Sequence, residues 1–379
     1  MSEGRRRELL SKSLKLILLI VLALFCIGCS NLFVKNNKPK TIQENNNLQN
    51  DKEISSLNNV KGFRNITQGV IGDICASGEN IILLREDDLD PETHEKEKTI
   101  TYNLSLYNLK DEKIHNITSS PINLLFNKFD ATEEGIYYLE NKEESLFQLY
   151  WFNINDNKKA RISSPDHQVS PSFYVKSNNE VYYGTKDGKI IKANKRNILR
   201  IIDIGSEYYI HQIYFSESRD LILFSAFKDE SLGLYLMNSK GEDFKELLSN
   251  ISGSFDISKG EDKILYTTPI PDSNKSILWL LELDGNDKGT KLLEGYPQRA
   301  VFSPKEDRIA YLDRSDSNTD LLSIWIISIK DLEKNQVASN LKITSGLFWH
   351  PWENKLFFST YESRDNKLQS HVYSLDFEI

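Results

Sequence analysis

The sequence predicts an all-β fold, a seven-bladed β-propeller closed by an N-terminal strand and preceded by a signal peptide and a disordered Asn-rich tether. Three observations carry this expectation. A phrase made of an apolar residue, a turn rich in Ser, Pro or acidic residues, and an alternating run recurs seven times, most clearly at Val301-Phe302-Ser303-Pro304-Lys305-Glu306-Asp307-Arg308-Ile309-Ala310-Tyr311-Leu312. The recurrences lie about 40 to 55 residues apart, which is the period of a four-stranded blade. Beyond the N-terminus no segment sustains a 3.6-residue apolar period, and the apolar runs are short, aromatic or β-branched, and bounded by Asp, Asn, Gly or Ser.

The N-terminus reads as an address. Arg5-Arg6-Arg7, Lys12 and Lys15 precede an uninterrupted apolar stretch from Leu16 to Ile27, followed by Gly28-Cys29-Ser30. This is the order of a secretory signal peptide, here residues 1–28, and the stretch falls short of the roughly 20 residues a spanning helix needs. Gly28-Cys29 resembles a bacterial lipobox, with Cys26 and Ile27 standing where Leu and then Ala or Ser are usual. The resemblance implies a diacylglyceryl group on the Cys29 thiol, cleavage before it, and a mature protein anchored on the extracytoplasmic face of a bacterial membrane. Buried acyl chains contribute about 0.8 kcal/mol per CH₂, so two chains hold a soluble domain there. Residues 29–59 are polar and Asn-rich and cannot bury enough apolar surface to offset the entropy of ordering. They read as a tether with a reach of about 30 Å.

The third segment, residues 60–379, holds the repeats. Its most apolar runs are Ile81 to Leu84, Ile136 to Leu139, Val181 to Tyr183, Leu221 to Phe224, Ile264 to Tyr266, Ile309 to Leu312 and Leu356 to Phe358. Continuous apolar character suits strands covered on both faces, as between neighbouring blades. A second run follows most of them, for example Leu149 to Asn153 and Ile324 to Ser328, and a shorter one then closes the unit, for example Thr290 to Leu293. The seventh unit ends without a closing run. Gly62-Phe63-Arg64-Asn65-Ile66 stands unclaimed just before the first unit, so residues 60 to 67 are expected to complete the last one and leave no open edge.

Phe302-Ser303-Pro304 followed by Ile309-Ala310-Tyr311 resembles the repeat of TolB-type propellers, relatives of the WD repeat. Lys305-Glu306 stands where Asp-Gly is usual. Trp349-His350-Pro351-Trp352 and Phe215-Ser216-Glu217-Ser218 are looser copies. The resemblance implies a rigid disc that docks other proteins in the cell envelope.

Chemistry is sparse. A net charge of -8 offers no concentrated basic surface, which argues against a nucleic-acid partner. Cys75 is the one cysteine beyond the N-terminal run and reads as an inert buried thiol in an apolar strand. His94, His115, His167, His211, His350 and His371 show no metal-ligand spacing, and His350, standing where the turn motif has Ser, reads as structural. The acidic stretch Glu86 to Asp90, with Glu95 and Glu97, reads as a solvated excursion between the second and third strands of the first unit. Arg314 to Asp320 and Tyr361 to Lys367 read as loops at the corresponding positions, on the same face. No Gly-x-Ser-x-Gly elbow is present, and neither catalytic residues, cofactor nor metal is expected. Trp349 and Trp352 flank Pro351 and read as packing residues, with stacking on a sugar or peptide as the alternative. The functional expectation is a membrane-tethered, non-enzymatic protein-binding or assembly module partnered by another envelope protein. The alternatives are a carbohydrate- or peptide-active enzyme with its site in the channel, and a small-ligand sensor.

Overall fold

A computed structural model of the chain describes residues 60–86, 102–118, 124–143, 146–284, 289–314, 320–364 and 367–377. The expected signal peptide, Cys29, the tether, His94 and most of the acidic excursion lie outside the described residues.

Within the compact unit that begins at Glu53, antiparallel strands follow one another in sets of four. The first set is β2 (Val70–Ile74), β3 (Asn80–Glu86), β4 (Tyr102–Asn108) and β5 (Ile114–Asn116); β1 (Val60–Gln68) precedes it. Then come β6 (Leu124–Phe129), β7 (Gly135–Glu143), β8 (Leu146–Asn153) and β9 (Lys159–Arg161), followed by β10 (Val169–Val175), β11 (Val181–Thr185), β12 (Lys189–Ala193) and β13 (Ile198–Asp203). The next sets are β14 (Tyr209–Ser216), β15 (Leu221–Lys228), β16 (Ser231–Asn238) and β17 (Lys245–Leu248), and β18 (Asp256–Ile257), β19 (Lys263–Pro269), β20 (Ser276–Glu282) and β21 (Thr290–Gly295). The last are β22 (Gln298–Phe302), β23 (Arg308–Arg314), β24 (Leu322–Ser328) and β25 (Lys334–Leu341), and finally β26 (Phe348–Trp349), β27 (Lys355–Arg364) and β28 (Lys367–Phe377). No helix occurs among the described residues.

Burial explains the choice of residues. All five residues of β11, Val-Tyr-Tyr-Gly-Thr, are buried, whereas the outermost strand of the same set, β13, is exposed at five of its six positions. The second strand of each set is therefore the apolar run read from the sequence, covered on both faces, and the fourth is the wet rim. Hydrophobic clusters fill the spaces between consecutive sets: Phe129 of β6 joins Ile82 and Leu104 of the first set, and Phe302 of β22 joins Leu265 and Leu278 of the set before it. Another cluster brings Phe357 and Val372 of the last set against Ile71 and Ile81 of the first, which makes the succession circular.

The circle is fastened where the sequence suggested. β1 lies antiparallel to β28, from Val60 opposite Phe377 to Gln68 opposite His371 with register shifts between Val60 and Gly62 and between Asn65 and Thr67, and stands as the fourth strand beside β26, β27 and β28. Phe63 stacks on Tyr373 with ring centroids 4.7 Å apart.

Two expectations are corrected. Seven separate blades were expected, but among the described residues five sheets of four strands stand alone and β6 to β13 form a single eight-stranded sheet. The join is the pairing of Val169 with Phe147. Its cause is the connection before β10: Ser163 accepts the Leu149 N–H and donates to Gln148, while Gln148 donates to the His167 carbonyl at 2.9 Å. These bonds lay the connection along β8 and bring β10 against it. The stretch Tyr361 to Lys367 is likewise no loop, since β27 and β28 stay paired from Tyr361 opposite Ser370 to Arg364 opposite Lys367.

Candidate functional site

The first strand of each set lies nearest the axis of the circle and, except at β10, which meets β8 at Val169, has an unpaired inner edge among the described residues. Its backbone N–H groups need acceptors. Side chains of the preceding set supply them. Asp73 of β2 accepts the Phe129 N–H of β6 at 3.0 Å, and Asp256 of β18 accepts the Phe302 N–H of β22 at 2.8 Å. Gln212 of β14 brackets Phe255 through both its N–H and its carbonyl, at 3.0 and 2.8 Å. Ser359 of β27 accepts the Ile71 N–H at 2.8 Å, across the closure.

The two aspartates hold equivalent places, each one residue before the position that pairs with the start of the second strand. Lys128 stands at the same place in β6. Its ammonium pairs with Asp73 at 2.9 Å and is 41% exposed at the side chain, while its charge also reaches Asp256 from across the ring. Burial nevertheless dominates at Asp256 and pushes its carboxyl up to about 6, against the lowering effect of the Phe302 and Ile257 N–H groups and of Lys128. Asp73, Lys128 and Asp256 thus stand at corresponding places of their first strands, and both carboxylates also bind neighbouring sheets together.

On one face of the ring lie the turns between first and second strands, which carry a second system of contacts. Glu133 accepts the Ser77 N–H and hydroxyl at 2.7 and 2.8 Å, and Glu217 does the same for Ser177 at 2.7 and 2.5 Å. Glu261 accepts the N–H groups of Glu217 and Ser218 at 3.0 and 2.9 Å and the hydroxyls of Ser216 and Ser218; Glu306 accepts the Gly260 N–H. At the closure the partners change. His350 hydrogen-bonds the Gly78 carbonyl through Nε2 at 3.0 Å, and its Nδ1 accepts the N–H groups of Trp352 and Glu353. These bonds fix the neutral tautomer with the proton on Nε2. His350 thus also caps backbone N–H groups of its own turn, two and three residues on, where Ser303 and Ser258 accept the N–H five residues on.

The sequence grouped Trp349 and Trp352, and the structure separates them. Trp349 packs against Phe377 beside the last cluster. Trp352 is 64% exposed, yet its indole N–H is fixed to the Ala76 carbonyl at 2.9 Å and Lys259 stands 4.9 Å over its ring. Trp352, Ala76 and Lys259 come from the turns of the seventh, first and fifth units. No sequence pattern distinguishes the two tryptophans, because their different fates depend on which turn lies alongside.

The remaining histidines are dispersed. His167 contacts the Tyr183 hydroxyl at 3.0 Å, with burial holding its pKa down; His211 lies beside Ser225 at 3.2 Å and is pushed down to about 4 by burial; His371 meets Asn65 at 3.4 Å. His115 lies on the exposed outer strand β5. Among the described residues no group of three or more His, Cys, Asp or Glu side chains converges as a metal site. Cys75 lies one residue beyond β2 rather than within a strand. It is buried, its thiol is pushed up by burial, and it accepts the Asn80 N–H at 3.1 Å in the place that Ser holds elsewhere.

No protein family and no curated relative matches the sequence. Solved structures do. An oligogalacturonate lyase in complex with manganese is 8% identical with a TM-score of 0.59, covering 83% of this chain and 90% of that one. The β-propeller domain of Cps50 (Swd1) from Myceliophteria thermophila is 9% identical with a TM-score of 0.54, covering 83% and 98%. The chain folds as a β-propeller. TolB from Acinetobacter baumannii is also among the matches, at 13% identity and a TM-score of 0.43, over 79% of this chain and 65% of that one. At these identities the likeness is one of fold alone.

Proposed function

We propose that the chain is an extracytoplasmic propeller lipoprotein, tethered to a bacterial membrane through a diacylglyceryl group on Cys29 and residues 29–59, that acts as a non-enzymatic docking module for another envelope protein. In this reading β6–β9 and β10–β13 count as two blades, giving seven. The observation that carries the docking role is Trp352. A large aromatic held rigid by one hydrogen bond and still 64% exposed loses little conformational entropy on binding. Buried aromatic anchors of this kind are the residues on which interface energies concentrate. Lys259 over the ring adds a cation that a partner's acidic or carbonyl groups can meet.

The test is crosslinking in the native membrane with a photoreactive group placed beside Trp352. A discrete neighbour should be captured, and the Trp352→Ala and Lys259→Ala variants should lose it while remaining folded. Capture of no stable neighbour, or capture unchanged in both variants, defeats the docking role. Labelling with a palmitate analogue tests the anchor separately: label should disappear in Cys29→Ala.

The second reading, an enzyme or small-ligand sensor at the axis, draws on Lys128, which pairs with Asp73 and whose charge also acts on Asp256. It predicts that Lys128→Ala abolishes a ligand response while leaving capture at Trp352 intact.

A further inference from the structure

The face of the ring opposite Trp352 carries a cleft of about 240 Å³ lined by Asn274, Ser276, Tyr296, Pro297, Gln298 and Arg314. It lies between the hairpin of β19 and β20 and the entry to β22. Arg314 closes β23 and is the single charged residue in the lining among the described residues. Its Nε–H is buried and has no acceptor among the described residues. The neighbouring carboxylate does not neutralise it. Asp313 is committed to the N–H groups of Tyr296 and Arg314, at 3.0 and 2.9 Å, and burial holds its carboxyl above the usual range.

A half-buried guanidinium donor without an acceptor is costly, about 1–3 kcal/mol for a neutral buried group and more for a charged one. The missing partner is an anion. Among the described residues the lining holds one cation and no second cation, which matches one negative charge rather than a phosphate dianion, and a planar fork of N–H donors fits a planar carboxylate. The other lining groups, an amide from each of Asn274 and Gln298, the Ser276 hydroxyl and Tyr296, suit hydroxyl or amide groups on the same molecule. The volume is below the roughly 300 to 1,000 Å³ of pockets for drug-sized ligands. We propose that this cleft binds a small polar monocarboxylate through the Arg314 guanidinium. The site is separate from the Trp352 face and does not depend on the docking role.

Isothermal titration on the full chain tests it, with D-gluconate, L-alanyl-L-alanine, sorbitol and inorganic phosphate as probes. At least one of the two carboxylates should bind saturably, and sorbitol, the uncharged polyol, should not. Tighter binding of gluconate assigns a hydroxylated acid, and tighter binding of the dipeptide assigns an amino-acid or chain-terminal carboxylate. Arg314→Gln should weaken the better ligand by about tenfold or more, the loss expected for one charge-assisted pair. Arg314→Lys, which keeps the charge without the fork, should weaken it by less. Trp352→Ala should leave it unchanged. The proposal is overturned by saturation with neither carboxylate, by phosphate binding more tightly than both, or by equal affinity in Arg314→Gln. Should Arg314→Gln fail to fold, Arg314→Lys together with Tyr296→Phe decides, and undiminished affinity in both overturns it.

Discussion

Glu261 reaches back from its own turn to accept the Ser218 N–H at 2.9 Å, tying the fifth unit to the fourth, and it does so from a left-handed backbone with φ of 57°. Glu133 and Glu306 share both features, with φ of 59° and 57° and acceptors aimed at Ser77 and Gly260. A turn of this kind favours Gly, and a side-chain-bearing residue there costs on the order of 1 kcal/mol. The departure of Lys305-Glu306 from Asp-Gly thus has a physical reason. The strained Glu supplies a carboxylate that caps the previous turn with charge-assisted bonds. Glu261→Gly should relieve the strain but lose the cap, lowering stability by about 1–3 kcal/mol. Glu261→Ala keeps the strain as well and should be about 1 kcal/mol worse. Urea unfolding of the two variants checks the order, and an alanine variant as stable as the glycine variant contradicts it.

Two carboxylates near these contacts respond to pH in opposite senses. At Glu261 burial disfavours the charge, but bonds from Ser218, Ser216 and the backbone outweigh it and hold the pKa below the usual Glu value. The folded state therefore releases this proton more readily than the unfolded one. Its contribution is full above the ordinary value of 4.5 and is lost as pH falls through the folded value. Asp256 runs the other way. With its carboxyl raised from 3.8 to about 6 by burial, its contribution is full below 3.8 and is lost as pH rises through 6. Asp256→Asn retains an acceptor for the Phe302 N–H and removes the buried charge, so it should raise stability by about 1–2 kcal/mol at pH 7.5, less than the full shift implies because the residue is only partly buried. At pH 4 the gain should vanish. Urea midpoints at the two pH values decide the matter, and an equal gain at both argues against this cause.

Much of the ring was legible in the sequence because strand character is local. The apolar runs Ile81 to Leu84 and Ile309 to Leu312 became β3 and β23, and the unclaimed segment at Phe63 became the closing strand. What could not be read depends on which side chains the fold sets beside one another, over separations of 19 to 276 positions. Nothing in Trp349-His350-Pro351-Trp352 indicates that Ala76 will sit beside the second tryptophan. Nothing near Val169 indicates that Gln148 will hold its connection against β8. Arg314 was read only as the start of a loop, because an unmet Nε–H becomes visible only when the surrounding acceptors are placed.

Gly78 marks a point where the closure leaves no room. Its φ is +77°, and a Cβ there would lie 2.5 Å from the His350 Nε2 that bonds its carbonyl. Gly78→Ala should therefore cost more than the roughly 1 kcal/mol of backbone strain alone. A second substitution, His350→Ser, should recover part of the loss by restoring a small turn residue and removing the clash. Thermal unfolding of the single and double variants shows the coupling, and strictly additive losses speak against direct contact.

The closing strand is the most demanding prediction. β1 is far away in sequence from β28, and the pairing removes the open edge that β28 would otherwise present. Phe63 packs across the join against two rings of the last set, 4.7 Å from Tyr373 and 6.2 Å from Phe358. Deleting residues 60 to 67 should lower the unfolding midpoint sharply and promote association through the bared β28, whereas deleting 31 to 55 should leave it unchanged. Phe63→Ala, at a half-buried position, should cost about 1–2 kcal/mol, less than the 3–5 kcal/mol of a fully buried Phe. Because the contact is non-local, the substitution should act mainly on the unfolding rate if the strand docks after the rest of the ring has formed. Equal tolerance of the two deletions would mean that the ring holds through its clusters alone and that β1 is an ornament on its rim.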